Sequence, residues 1–424
     1  MTAGGQLRKR NLIVGLLGAA ALAALIWAVV VGVPRLTGEL TGTSTPDGRL
    51  AATPTVINSN LVWASAPGTV GSWLTTSAVF GNDGFIYALS TAPGVREIQF
   101  GVPVAHAVYR SQDGMEWSSE LLAGFGDELF PRGIAFSGPN LYLVGTAPSA
   151  ADPSRVAVRV GNSGDAGRTW ASVDLDLVND VGDAARGSAG SILVDVAANG
   201  GGALVGATSG PRFDNFNPSN VALYFGADLL DLQLTATPFA DGYSLDRLAA
   251  TEDTFYAMVR PAEASLIELW RSPDGLEWVR LDNFPFIDTV SAFGEIGDRT
   301  VVAGQIEGRL VVGATLDGAV WDEIDLADLV PQAVAGNQWI SAAGIGPAGL
   351  YLNVQTWFQD NSPSGGREVV QLIETADLSN WSSIPTGSIA QGFVDQLVVG
   401  DDFVFVNAAT GLVAGRVHLI GTRG

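Results

Sequence analysis

The sequence predicts an all-β fold, a seven-bladed β-propeller, preceded by one transmembrane helix. Three observations carry this. A short pattern with an Asp and a following Trp recurs along the chain. Short β-branched and aromatic runs, each opened by a turn signal, fill the space between copies. Residues 12–33 contain no charged side chain and are almost wholly apolar. The composition agrees with a folded protein: 424 residues, 47% hydrophobic and only 16% charged. Without Cys, disulfides, zinc–cysteine sites and a thiol nucleophile are excluded. A net charge of −22 argues against nucleic acid as a partner.

The elements follow in chain order. Residues 1–11 carry Arg8, Lys9 and Arg10 and are expected to form a cytoplasmic tail. Residues 12–33 are long enough, at about 1.5 Å per residue, to span a bilayer core of about 30 Å. Trp27 is expected near the outer interface. The basic cluster before the span keeps the N-terminus inside and exports the rest. A cleaved signal peptide is the alternative, but its apolar core is normally about 7–15 residues and ends at a small-x-small site. Residues 34–53 are rich in Thr, Gly, Ser and Pro and read as a stalk. Residues 54–424 are expected to form the propeller, which makes this a single-pass membrane protein with an extracytoplasmic domain.

Five copies of the pattern occur. They are Ser111-Gln-Asp113-Gly-Met-Glu-Trp117, Ser163-Gly-Asp165-Ala-Gly-Arg-Thr-Trp170, Ser272-Pro-Asp274-Gly-Leu-Glu-Trp278, Thr315-Leu-Asp317-Gly-Ala-Val-Trp321 and Thr375-Ala-Asp377-Leu-Ser-Asn-Trp381. Their Trp residues are about 40–60 residues apart, with one double step between Trp170 and Trp278. Strand-rich units of that period mark a propeller. Units are expected to begin near Trp73, Phe130, Ser191, Ser244, Asp288, Asn337 and Gly392. The third has lost its Trp, and if it is irregular the count is six. The last unit ends without an outer strand, and Asn60-Leu-Val-Trp63 reads as the strand that completes it. Such a closure removes the free sheet edges.

These copies resemble the Asp-box, or BNR, repeat of sialidases and many other propellers. The resemblance covers residues 60–424. It implies that each Asp caps the hairpin between the third and fourth strands and that each Trp packs between blades. Those residues are then structural. Sialidases also use three Arg residues on the substrate carboxylate, a Tyr nucleophile assisted by Glu, and an Asp acid/base. The first Arg normally sits in Arg-Ile-Pro. This chain lacks that segment, and Phe130-Pro131-Arg132-Gly133 is the nearest echo. No Tyr–Glu pair can be assigned from the sequence.

Other chemistry is sparse. His106 and His418 lie in apolar runs and read as strand residues. No nucleophile elbow or phosphate loop is present. No cofactor is expected. Asp174, Asp176, Asp180 and Asp183 could wrap a calcium ion, or form a solvated acidic loop.

Function is expected on the long loops that join second to third strands and one blade to the next. Arg96 lies on the first. Arg212, Phe213, Asp214 and Phe216 lie on the second. Trp357, Phe358, Asp360 and Arg367 belong to the third, and Tyr243 lies between blades. Flat rings with guanidinium, carboxylate and amide groups suit a protein or glycan ligand. The alternative is that the rings anchor their loops. The role expected is an interaction scaffold. An exo-sialidase-like glycosidase and an envelope complex assembly factor are the competing readings.

Overall fold

The computed structural model describes residues 55–57, 61–65, 75–81, 83–91, 106–113, 116–122, 129–149, 156–175, 192–209, 221–228, 231–239, 241–261, 264, 266–285, 287–327, 329–330, 337–359, 366–385, 394–410 and 415–423. The expected tail, span and stalk lie outside them. Among the described residues no helix is long and apolar enough to cross a membrane.

The described chain is all-β. Two short strands come first, β1 (Thr55–Ile57) and β2 (Leu61–Ser65). Sheet I then holds β3 (Thr75–Phe80), β4 (Ile86–Thr91), β5 (His106–Ser111) and β6 (Ser118–Leu121). Sheet II holds β7 (Phe130–Ser137), β8 (Asn140–Pro148), β9 (Val156–Ser163) and β10 (Ala171–Leu175). Sheet III holds β11 (Ile192–Asn199), β12 (Gly202–Ser209), β13 (Val221–Gly226) and β14 (Gln233–Thr235). Sheet IV holds β15 (Tyr243–Ala250), β16 (Phe255–Pro261), β17 (Glu268–Ser272) and β18 (Val279–Arg280). Sheet V holds β19 (Thr289–Ile296), β20 (Arg299–Ile306), β21 (Arg309–Thr315) and β22 (Asp322–Asp325). Sheet VI holds β23 (Asn337–Gly346), β24 (Gly349–Gln359), β25 (Gly366–Thr375) and β26 (Asn380–Pro385), with β1 added parallel to β26. Sheet VII holds β27 (Val394–Val399), β28 (Phe403–Thr410) and β29 (Gly415–Arg423), and its fourth strand is β2, antiparallel to β29.

The first strands touch in cyclic order: β3 with β7, β7 with β11, then β15, β19, β23, β27 and back to β3. Antiparallel sheets arranged radially in this way make a β-propeller. Period-two alternation gives each sheet two apolar faces, one for each neighbour. Leu141 and Leu143 face sheet I with Tyr87, Leu89 and Val108, while Tyr142 and Val144 face sheet III with Val194, Val196 and Val205. Leu223 and Phe239 meet Leu245 and Leu248 between sheets III and IV. Val312 and Ile324 meet Leu352 and Val354 between sheets V and VI.

The Asp copies form the turns between third and fourth strands. Asp317 Oδ1 accepts the Ala319 and Val320 amides at 2.8 and 3.1 Å, and the Thr315 hydroxyl accepts the Gly318 amide at 2.9 Å. Asp274, Asp377 and Asp165 do the same to their own turns. Amides that a tight turn strips of partners are thereby paired. The residue after each of these four Asp has positive φ: Gly275 (73°), Gly318 (75°), Ala166 (62°) and Leu378 (63°). Each Trp that follows packs against the preceding sheet. Trp170 joins the cluster of sheets I and II, Trp278 that of III and IV, Trp321 that of IV and V, and Trp381 that of V and VI.

Six first strands carry a one-residue bulge, which skips Thr76, Arg132, Asp246, Ser291, Ser341 and Asp395. A bulge tightens twist and leaves local backbone groups unpaired. β11 stays in register, and Asp195 sits on it.

Candidate functional site

In an antiparallel sheet the start of the first strand, the end of the second and the start of the third share one end. The Asp turns therefore occupy one end of the ring, and the long loops the other. At the loop end of sheet VI, β24 is eleven residues long and runs beside β23 and β25 of ten each. Trp357 and Phe358, expected on a loop, lie instead within this strand, which runs on to Gln359, and Arg367 lies within β25; Trp357 is 38% exposed. Its register partners are Asn337 and Glu368. Phe358 is half-buried and lies opposite Arg367.

Alternation splits these residues between two faces. Ile340, Leu352 and Val354 pack toward sheet V, and Thr356 and Phe358 share their parity. The other face looks toward sheet VII: a Cβ on Gly344 would come within 2.7 Å of the Leu397 carbonyl. On that face Trp339 pairs with Gln355, and Trp357 follows two residues later. Directly opposed residues in neighbouring strands lie about 4.5–5.5 Å apart at Cβ. Two indoles and an amide are therefore grouped on one face, Trp339 across from Gln355 and Trp357 two residues along its strand.

Gln355 is fully buried, yet neither its Nε2 nor its Oε1 has a hydrogen-bond partner. On the other face, Thr356 Oγ1 and Gln371 Oε1 are also unpaired, although Gln371 Nε2 donates to Ser383 Oγ at 2.7 Å. A buried polar group left unpaired costs about 1–3 kcal/mol. Gln355 and Trp339 are not among the residues that sequence reasoning selects. A signal for them exists: Asn353, Gln355 and Trp357 interrupt an apolar strand at period two.

Tyr243 opens β15 and lies 6.3 Å from the Phe239 ring, edge-on. Its hydroxyl bonds to Glu268, and burial first, then the Glu268 charge, raise its pKa. Glu268 also accepts from Trp270 Nε1 at 3.1 Å and from Arg280 Nη1 at 3.3 Å. Sequence spacing does not reveal this Tyr–Glu pair. A raised phenol pKa makes the neutral hydroxyl the resting form, which is a weak nucleophile.

The bulged first strands are stitched by polar side chains. The Asp195 carboxylate accepts the Leu248 amide of sheet IV at 2.8 Å and its own neighbour Val196 at 2.9 Å. The residue is half-buried, and desolvation raises its pKa against the lowering effect of these amides and of Arg247. Arg247 Nη1 donates to the carbonyl of the skipped Ser291, 3.1 Å away in sheet V. Arg260 Nη2 donates to Asp246 at 2.7 Å and to the Asp288 carbonyl at 2.9 Å. These two guanidiniums are committed to the ring itself. Arg132 is exposed at its bulge.

Arg96, Arg212, Phe213, Asp214, Phe216 and Asp360 lie outside the described residues, as do Asp176, Asp180 and Asp183. Asp174 is described, and Arg159 holds both its oxygens, at 2.6 and 2.9 Å. Among the described residues no group of three acidic or His side chains is placed to hold a metal. His106 and His418 sit in β5 and β29.

No protein-family model matches the chain, and no curated protein matches it. Solved structures do. It is similar to the GH74 xyloglucanase from Xanthomonas campestris, at 15% identity and TM-score 0.51, over 86% of this chain and 54% of that one. It is similar to the Trypanosoma rangeli sialidase in complex with the inhibitor DANA, at 12% identity and TM-score 0.42, over 83% of this chain and 55% of that one. The β-propeller domain of the Trilobed protease from Pyrococcus furiosus matches at 9% identity and TM-score 0.47, over 83% and 95%. The chain thus spans about half the length of the first two. At these identities the likeness speaks of the fold alone, and it agrees with the ring of sheets: the chain is a β-propeller.

Proposed function

We propose that this chain is a binding scaffold: a seven-bladed Asp-box propeller, held at the cell envelope by residues 12–33, that presents its loop end to a protein or glycan. The exposed Trp357 near the loop end of the eleven-residue β24 carries the reading. A large ring held out on a rigid strand gives contact area with little ordering entropy. The turns at Asp274 and Asp317 have the hydrogen bonds that the Asp-box resemblance implies, which supports a structural role for them. The anchored location rests on the apolar run and the basic residues before it. The test is retention of a ligand from native membranes by the wild-type chain and by Trp357→Ala. The reading expects a ligand whose retention falls at least about tenfold with Trp357→Ala, the loss of an interface anchor worth about 1.4 kcal/mol or more.

A sialidase-type hydrolase is the second reading, favoured by the bond between Tyr243 and Glu268. It expects turnover of a fluorogenic sialoside that Tyr243→Phe and Glu268→Gln both abolish. The commitment of Arg247 and Arg260 to carbonyls and to Asp246 argues for the scaffold instead.

A further inference from the structure

We infer that the group Trp339, Gln355 and Trp357 is a site for an uncharged saccharide. The inference rests on the scaffold reading and names its ligand class.

Three observations converge. First, Trp339, Gln355 and Trp357 share one face of sheet VI, with one indole directly across from Gln355 and the other two residues along its strand. Second, the Gln355 amide is buried with donor and acceptor both unpaired. A buried amide in this state needs a partner that brings both a donor and an acceptor. A sugar hydroxyl is both at once. Third, the group reaches solvent, since Trp357 is exposed and Trp339 is half-buried. Indole faces pack on the C–H faces of a pyranose ring, while the amide fixes its hydroxyls.

Charge selects among saccharides. The three side chains carry none, and the chain as a whole carries −22. An acidic glycan would meet repulsion without a guanidinium among these three side chains to offset it. A neutral oligosaccharide meets neither difficulty. Gln355 is closed to solvent, so the sugar's hydroxyls reach the amide only after neighbouring side chains move.

The experiment titrates the full-length chain, purified in a non-glycosidic detergent, with cellohexaose, xylohexaose, mannohexaose, chitohexaose and sialyllactose. Tryptophan fluorescence and calorimetry report binding. The expected result is binding of at least one neutral hexasaccharide. Gln355→Leu and Trp357→Ala should each weaken it at least about tenfold. Gln355→Leu removes the orphan amide in nearly the same volume, so it should melt no lower than the wild type, which separates loss of the site from loss of the fold. Binding of sialyllactose alone, equal binding by both variants, or no saccharide binding would each overturn the inference. If no sugar binds but a photo-crosslinker at position 357 captures a protein in native membranes, the scaffold stands and the saccharide falls. If neither occurs, both fall.

Discussion

Trp117, in the Asp turn of sheet I, packs against Phe405 of β28 in sheet VII, with ring centroids 5.4 Å apart. The contact joins the first complete sheet to the last. It sits in a cluster with Ile86, Val398 and Phe403 and, together with the β2–β29 pairing, holds the two ends of the chain against each other.

That contact makes closure of the ring measurable. Trp117→Ala and Phe405→Ala should each destabilise by about 2–4 kcal/mol, and together by less than the sum. A double-mutant cycle in urea should give a coupling of about 0.5–1.5 kcal/mol. Trp381 is fully buried between sheets V and VI, so Trp381→Ala should cost about 3–5 kcal/mol.

The Asp turns should set the acid limit of stability. Turn amides and the Thr169 hydroxyl lower the Asp165 pKa to about 2. Amide bonds to Ala319 and Val320 lower that of Asp317. A lowered carboxyl stabilises the fold above its unfolded pKa of about 3.9, and that stability is lost as pH falls through the folded value. Melting temperature should therefore fall between about pH 4 and pH 2. The double substitution Asp165→Asn and Asp317→Asn should lower it at pH 7 and flatten this fall.

Asp195 should act in the opposite sense. Desolvation raises its folded pKa, so the folded state holds the proton more tightly than the unfolded one. Its contribution is full below about pH 4 and is lost as pH rises through the raised value. Asp195→Asn keeps an acceptor for the Leu248 amide and removes the charge. Melting curves across pH 4–8 should show the variant gaining on the wild type as pH rises. A variant that instead loses ground to the wild type as pH rises would contradict a raised pKa at Asp195.

Backbone strain at the turns gives a fourth check. A non-glycine residue in the left-handed region costs about 1–2 kcal/mol. Ala166 lies there at φ 62°, so Ala166→Gly should stabilise by about 0.5–1 kcal/mol. Leu378 lies there too, but its side chain is buried between sheets V and VI. Leu378→Gly should therefore destabilise, by about 1–3 kcal/mol, as lost packing outweighs relieved strain. Chemical denaturation of both variants reads the two signs.

Much of the fold was legible because its signals are local. The Asp–Trp spacing marks each hairpin, and alternating runs such as Asn140–Thr146 mark the strands, so the expected unit starts at Phe130 and Asn337 coincide with the first residues of β7 and β23. The strand β1 was not legible: three residues, Thr55–Ile57, pair in parallel with β26 from more than 300 positions away. The site was less legible for the same reason. Tyr243 and Glu268 meet only through the register of β15, β16 and β17, and the Gln355 defect is a property of packing, invisible in an apolar run. The loop residues Arg212 to Phe216, singled out by the length of their connection and their residue types, lie outside the described residues.

The most direct test of the scaffold places a photo-crosslinking benzoylphenylalanine at Trp357, and in a parallel chain at Leu316, an exposed residue of the Asp-turn end. Both chains are irradiated in native membranes. The account predicts a discrete adduct, protein or glycoconjugate, from position 357 and none from 316. An adduct from 316 alone, or none from 357, would contradict it.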